Sequence, residues 1–254
     1  MGGRLSEVRV LVTGGTGSIG KAIVRALLRE GALVAMAARA GQRLKDASHE
    51  MKREGLDVFA VVMDLESHDT ITEAANLLRS RWGGIDVLFN CAGTGMEQFN
   101  PSFTTRAMPF YSYDIASMRT AMDINYLGFF AVTQAFMPAF LEQGRGRIID
   151  VEADRELLAM RGFAPFSPTR AATDTLTMIM AKELEGSGIT ANVLTPGGFV
   201  KGGIFPAGAP EESFGHLLNA DVIGPPAVFL ASHEAEGMNG EHLVASKFDT
   251  RWLK

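Results

Sequence analysis

The stretch RVLVTGGTGSIGKAIVRALLREG, residues 9 to 31, decides the fold class. It opens on a short β-branched run, passes through a glycine-rich turn, and continues with apolar residues at helical spacing (Ile19, Ile23, Leu27). Strand, glycine turn and helix in that order form the first half of a βαβ unit. Gly31 follows the helix at a C-cap position. Within the turn, Gly14, Thr16, Gly17, Ser18, Ile19 and Gly20 place little side-chain bulk before the first free N–H groups of a helix. Such a turn suits a pyrophosphate.

The same rhythm continues along the chain. ALVAMAAR is a second strand and GQRLKDASHEMKREG a second helix. DVFAVVMDL is a third strand, followed by a helix from about Thr70 to Trp82, and IDVLFNCAG is a fourth strand. A long apolar helix is expected over Ile115–Gln143, a strand at GRIIDV, a helix over Ser167–Glu185, and strands at ITANVLTPGG and HLVAS. Seven strands alternating with helices predict an α/β chain: a doubly wound, mainly parallel sheet with helices on both faces. No linker-like stretch interrupts it, so residues 1–254 are expected to form one domain. Two connections, from Thr94 to about Asp114 and from Gly198 to about Pro210, are long enough to suggest function.

Composition narrows the function classes. A net charge of −5 disfavours nucleic acid and anionic membrane surfaces. Cys91 is the only cysteine, which fits a reducing, cytoplasmic setting. No signal peptide, membrane span or metal motif is expected, and His216 and His242 stand alone as structural residues. Arg39 ends the second strand, where a ribose 2′ substituent would lie. Ala37 and Ala38 offer no acid there and Arg43 follows, a pattern that favours NADP(H) over NAD(H).

Together the glycine turn, Asp64 in MDL, NCAG (Asn90 to Gly93), Asn125 in DINYLG, and NVLTPGG resemble the short-chain dehydrogenase/reductase family, nearly end to end. The resemblance implies a single-domain Rossmann fold, a small-molecule substrate, and a homodimer or homotetramer with the Ile115–Gln143 and Ser167–Glu185 helices at an interface. It further implies that Asp64 and Leu65 border the adenine, and that Asn90, Ala92 and Gly93 pass under the cofactor. Pro196, Gly197 and Gly198 would approach the nicotinamide. The turn departs from the family's common form, because Ser18 stands at its second glycine and the pattern is TGxxGxxG.

The catalytic end departs further. The family's tyrosine falls 26 residues before the asparagine of NxxxPG, and Phe166 lies 26 residues before Asn192. On that frame Arg170 replaces the lysine and Ala153 the serine, leaving Asn125 of the usual set. The three tyrosines are Tyr111, Tyr113 and Tyr126, so none can take the place of Phe166 by a shift in alignment. Phenyl cannot give a proton and guanidinium cannot shuttle one. Arg170 would still anchor a ribose. Carboxyls flanking Ala153, Asp154 first and Glu152 second, are the candidates for a substitute acid. The expected function is therefore an atypical NADP(H)-dependent oxidoreductase. The alternatives are a non-redox enzyme (dehydratase, isomerase or cyclase) and an inactive NADP(H)-binding protein.

Overall fold

The structure, a computed structural model, describes residues 3–202 and 217–253, with the side chains of residues 156 and 157 outside the description. His216 and most of the second long connection therefore lie outside the described residues. Seven strands form one sheet: β1 (Arg9–Thr13), β2 (Leu33–Ala38), β3 (Phe59–Val62), β4 (Val87–Asn90), β5 (Gly146–Val151), β6 (Ile189–Thr195) and β7 (His242–Val244). Their order is β3-β2-β1-β4-β5-β6-β7 and every pairing is parallel. The sequence reading allowed for some antiparallel pairing, and the described sheet has none.

Helices cover both faces, as βαβ crossovers require. On one face, α1 (Ser18–Arg29), α2 (Gln42–Arg53) and a short helix at Gly224–Ala231 pack against Val10, Val12, Val34, Met36, Phe89 and Ile149. On the other, α3 (His68–Trp82) and the helices after β4 and β5 cover Leu11, Ala35, Leu88 and Ile148. The odd–even split of strand residues between the two cores follows from side-chain alternation.

Three elements differ from the sequence reading. The expected helix over Ile115–Gln143 is α4 (Ile115–Met122) and α5 (Gly128–Gln143), joined by a π-helical turn at Asp123–Leu127 that contains Asn125. By length and composition this run is apolar enough to cross a membrane. Here Phe129, Val132, Phe136 and Phe140 are buried against the sheet. The helix at Gly224–Ala231 went unread because its run GPPAVFLA is apolar all round and carries no helical period. Nearly all of it is buried. A one-turn helix, α6 (Arg155–Leu158), follows β5 inside the charged segment, and α7 (Ser167–Glu183) starts with Pro168 in its first turn, where a missing N–H costs nothing.

Candidate functional site

The carboxyl ends of β1, β4, β5 and β6 meet along one edge, where open α/β sheets place their sites. The β1–α1 turn is built by backbone. Gly14 has φ +64°, and a Cβ there would lie 2.6 Å from Ala92 Cα; a Cβ on Gly20 would collide with the Gly14 carbonyl. The turn therefore sits directly on the NCAG segment. Thr13 Oγ1 fixes this junction by accepting from Cys91 N and Ala92 N, each at 3.1 Å. Gly17 caps α1 without any side-chain hydrogen bond, and the Ser18 hydroxyl is buried without a partner. A buried unpaired hydroxyl beside an uncapped helix N-terminus is an arrangement that phosphate oxygens would satisfy.

Arg39 is exposed at the end of β2, with no partner among the described residues. Arg43, at the start of α2, is close enough to Glu97 for its charge to be felt there. Glu97 titrates above the ordinary carboxylate range because burial outweighs that cation. Asp64 accepts from Glu66 N, and its own N–H donates to Thr70 Oγ1, which shapes the turn before α3. Leu65 packs under Gly128, whose missing side chain lets the π-turn approach.

The other half of the edge is a seam of polar side chains between the sheet and α7. Asn125 is fully buried in the π-turn; its Oδ1 accepts from Thr94 N at 2.7 Å and its Nδ2 donates to Thr169 Oγ1 at 3.1 Å. The Arg170 guanidinium lies against Gly93: a Cβ on that glycine would strike it and come within 2.8 Å of Asn125 Oδ1. Arg170 also stands over the Phe166 ring, 5.4 Å from its centroid, and its Nη1 is 3.6 Å from Glu152 Oε1. Glu152 is buried and accepts from Thr173 Oγ1 and from Ala153 N. Alternation does not point it away from the site region, because β5 turns Glu152 and Asp150 alike toward α7.

Asp150 was missed in the sequence. It is fully inside, with Oδ2 accepting from Thr177 Oγ1 at 3.1 Å and Oδ1 unpartnered. Desolvation, reinforced by the neighbouring Glu152 charge, pushes its carboxyl well above the usual range. Glu152 is raised by desolvation against the opposing pull of Arg170. The mark of Asp150 in the sequence is a lone acid in the strand GRIIDV, and its role shows only once α7 faces it. Asn90, paired in register with Asp150, donates to Thr133 on α5. Cys91 completes the neighbourhood as an inert thiol, pushed by burial up to about 12.

The remaining expected residues sort as follows. Asp154 accepts from Thr195 Oγ1 (2.7 Å), Gly197 N (3.0 Å) and Gly198 N (2.8 Å), so its carboxylate ties down the turn after β6. Gly197 has φ +85°, which suits glycine, and Pro196 accepts from Ser246 N. Phe166 is buried in an apolar cluster with Met96, Phe103 and Phe163, against which Ala153 packs. Tyr113 donates to the Gly162 carbonyl, whereas Tyr111 is exposed and stacks edge-on with Phe110. His242 pairs with Asp174, which also holds Arg155.

A cavity of about 620 Å³ opens beside this edge, between Pro109–Phe110 and the turn from Leu158 to Ala164, and reaches Ser167. A groove of about 370 Å³ lies at the opposite, amino ends of the strands, near Arg9, Asp86 and Gly188, away from the glycine turn.

Comparison with known proteins agrees with this geometry. Residues 8–203 match the family model described as short chain dehydrogenase. The gluconate 5-dehydrogenase of Gluconobacter oxydans (strain 621H) is 29% identical over 249 residues, covering 94% of this chain and 93% of its own. Among solved structures, a gluconate 5-dehydrogenase from Burkholderia cenocepacia J2315 in complex with NADP and tartrate superposes with a TM-score of 0.80. It is 26% identical and the match covers 98% of this chain and 96% of that one. A variant actinorhodin polyketide ketoreductase with NADPH gives a TM-score of 0.81 at 25% identity, covering 96% and 97%.

Proposed function

We propose, since the chain belongs to the short chain dehydrogenase family, that it is an NADP(H)-dependent oxidoreductase whose site works without the family's serine, tyrosine and lysine. Ala153, Phe166 and Arg170 stand at those positions on the family frame, and Asn125 is retained. The residues present suit the cofactor. Ser18 and the α1 N-terminus would hold the pyrophosphate and Arg39 the 2′-phosphate, with Asp64 and Leu65 at the adenine. Asn90, Ala92 and Gly93 would lie beneath it, and Pro196 to Gly198 beside the nicotinamide. When bound, NADPH supplies the hydride.

One observation carries the reading: the Arg170 guanidinium rests against Gly93 and next to Asn125 Oδ1, with Glu152 behind it. A permanent cation there stabilises negative charge on a substrate oxygen and reaches the ribose, but it transfers no proton. The proton falls to a carboxyl of the Glu152–Asp154 segment. Asp154 is held by Thr195 and the turn after β6 and becomes the brace; Glu152, bonded by Thr173 and Ala153 N beside Arg170 and raised by desolvation, takes the acid's place. The cavity beside the edge is lined by apolar Pro109, Phe110, Met160 and Phe163 and by the polar groups of Arg155, Arg161 and Ser167. With no phenol at Phe166, the site suits acceptors that ask less of a proton donor: quinone-like carbonyls, conjugated alkenes or iminium groups.

The same reading takes residues 1–254 as one cytoplasmic domain that forms a homodimer or homotetramer. Apolar side chains exposed on α4, α5 and α7 (Ile115, Leu141, Ile179) support self-association. A second reading, in which the dinucleotide is a fixture for non-redox chemistry or is bound without turnover, is favoured by the burial of Phe166 where a substrate would stand. The deciding experiment follows NADPH binding by fluorescence and NADPH oxidation with a panel of quinones, enones and iminium ions. The expected result is oxidation with at least one acceptor class, reduced in Arg170→Gln. Tight NADPH binding with no oxidation across the panel would establish the second reading instead.

A further inference from the structure

The buried seam contains two carboxyls and one cation. Asp150 lies on β5 and Glu152 one residue beyond its end, and both carboxyls reach α7, where Thr177 and Thr173 donate to them. Every element packed around them contributes a neighbour. From α7 come Thr173, Thr177 and Arg170, from α5 Thr133, and from β4 Asn90 and Cys91. Asp174, the remaining acid of that stretch of α7, is turned to Arg155 and His242. Arg170 therefore supplies one positive charge against two possible negative ones. The hydrogen bonding has the same deficit. Threonines satisfy Asp150 Oδ2 and Glu152 Oε1, while Asp150 Oδ1 has no donor and its acidic neighbour can offer one only when protonated.

We propose that Asp150 and Glu152 hold one proton between them, and that this pair is the store from which Glu152 supplies the reacting substrate. The proposal rests on the oxidoreductase reading above and adds Asp150, a positioning residue that shares the proton with Glu152 and resupplies it. Two buried neighbouring carboxyls do not both ionise readily beside a single cation, and their protons belong to the pair. Desolvation raises both groups; the Glu152 charge raises Asp150 further, while the contact with Asp150 lowers Glu152, the unequal split expected of two carboxyls sharing one proton. The step balances as follows. With NADPH bound as the hydride source, the acceptor's π electron pair would move onto oxygen beside Arg170. The O–H bond of Glu152 breaks as the new substrate O–H bond forms. Substrate is reduced, NADPH is oxidised to NADP⁺, and Glu152 is left as a carboxylate against Arg170 until solvent returns a proton to the pair.

The test begins with the apoprotein, independent of turnover. Infrared difference spectra with ¹³C-carboxyl labelling should show a protonated buried carboxyl at neutral pH that disappears on alkaline titration. In Asp150→Asn the asparagine still accepts from Thr177, but Glu152 then faces Arg170 alone and ionises, so the band should vanish. On the acceptor found for the wild type, kcat of that variant at neutral pH should fall at least about 100-fold, with the NADPH dissociation constant unchanged. Its alkaline decline in activity should move to lower pH, a change that simple loosening of the fold would not produce. Absence of the wild-type band, or its persistence in Asp150→Asn with near-normal turnover, overturns the proposal. Should Asp150→Asn fail to fold, the wild-type band and Glu152→Gln decide: a full-rate Glu152→Gln enzyme also overturns it. Lack of NADPH oxidation by the wild type instead removes the oxidoreductase reading, and with it the donor role, while the infrared band still decides whether the pair shares a proton.

Discussion

The two halves of the sheet's carboxyl edge are made from different materials. At the β1–α1 turn, glycine backbone packs on the Ala92 backbone and leaves N–H groups and one hydroxyl to a ligand. Along the β5–α7 seam, side chains do the work: Arg170, Glu152, Asp150 and a ladder of threonines at 169, 173 and 177. A backbone-built site tolerates drift around it, since its chemistry resides in the main chain. A side-chain-built site changes function with each substitution. On the proposed reading, the chain has kept the first and rewritten the second.

The sharpest way to break this contrast is Arg170→Ala. Removing the one cation from a buried pair typically costs about 3–5 kcal/mol. The sign of its pH dependence is a further check. Asp150 and Glu152 titrate above their ordinary range, so above about pH 4 the native state binds more protons than the unfolded one, and stability falls as pH rises through their titration. Without Arg170 that decline should steepen. Urea unfolding at acid and neutral pH measures it, and an equal cost at both would show that the seam is held by packing rather than charge.

Next in size is a matched pair at the glycine turn. Gly20→Ala drives a methyl into the Gly14 carbonyl, a backbone atom that cannot rotate away. It should cost about 1–3 kcal/mol and weaken NADPH binding. Gly17→Ala, whose new methyl would meet the same carbonyl only at 3.5 Å, should be close to silent in stability. Equal effects in calorimetry would mean the turn is not the backbone cradle described.

Arg39→Ala sharpens the comparison at the cofactor's far end. A lost charge-assisted hydrogen bond is worth about 1.5–3 kcal/mol. NADPH affinity should fall by that amount while NADH affinity stays level, since Arg39 has no partner among the described residues to disturb. An unchanged NADPH preference, measured by titration calorimetry, would move 2′-phosphate recognition elsewhere, with Arg43 the next candidate.

What could be read from the sequence follows the same division. The glycine turn, the alternation of strands and helices, and Asn125 were visible because backbone needs and apolar periods leave local marks. The π-turn around Asn125 leaves none, because it differs from an α-helix by hydrogen-bond register alone. Asp154 and Glu152 both adjoin Ala153 in sequence, and Asp154 came first because strand alternation could turn Glu152 away. Their real difference is tertiary: one carboxylate is claimed by Thr195, Gly197 and Gly198, the other by α7. Asp150 was hidden because an acid within a strand shows its role only when the facing helix is in place.

The smallest expected effect is also the most direct test of whether the catalytic half has been rebuilt. Phe166→Tyr restores a phenol at the position the family frame gives to its acid. If the rest of the site still suited that mechanism, ketone reduction should return by orders of magnitude. The surroundings argue otherwise. The ring is buried among Met96, Phe103 and Phe163, Ala153 offers no hydroxyl, and Arg170 stands over the ring face. A new hydroxyl would enter an apolar wall, and the cation beside it, unlike lysine, cannot join a proton relay. Groups that act as a unit give little when one is replaced alone. Turnover on a ketone panel should therefore rise less than about tenfold, equivalent to about 1.4 kcal/mol. The triple change Ala153→Ser, Phe166→Tyr, Arg170→Lys provides the comparison. A single mutant equal to the triple would show that the seam never replaced the family's machinery, and that only one atom had been missing.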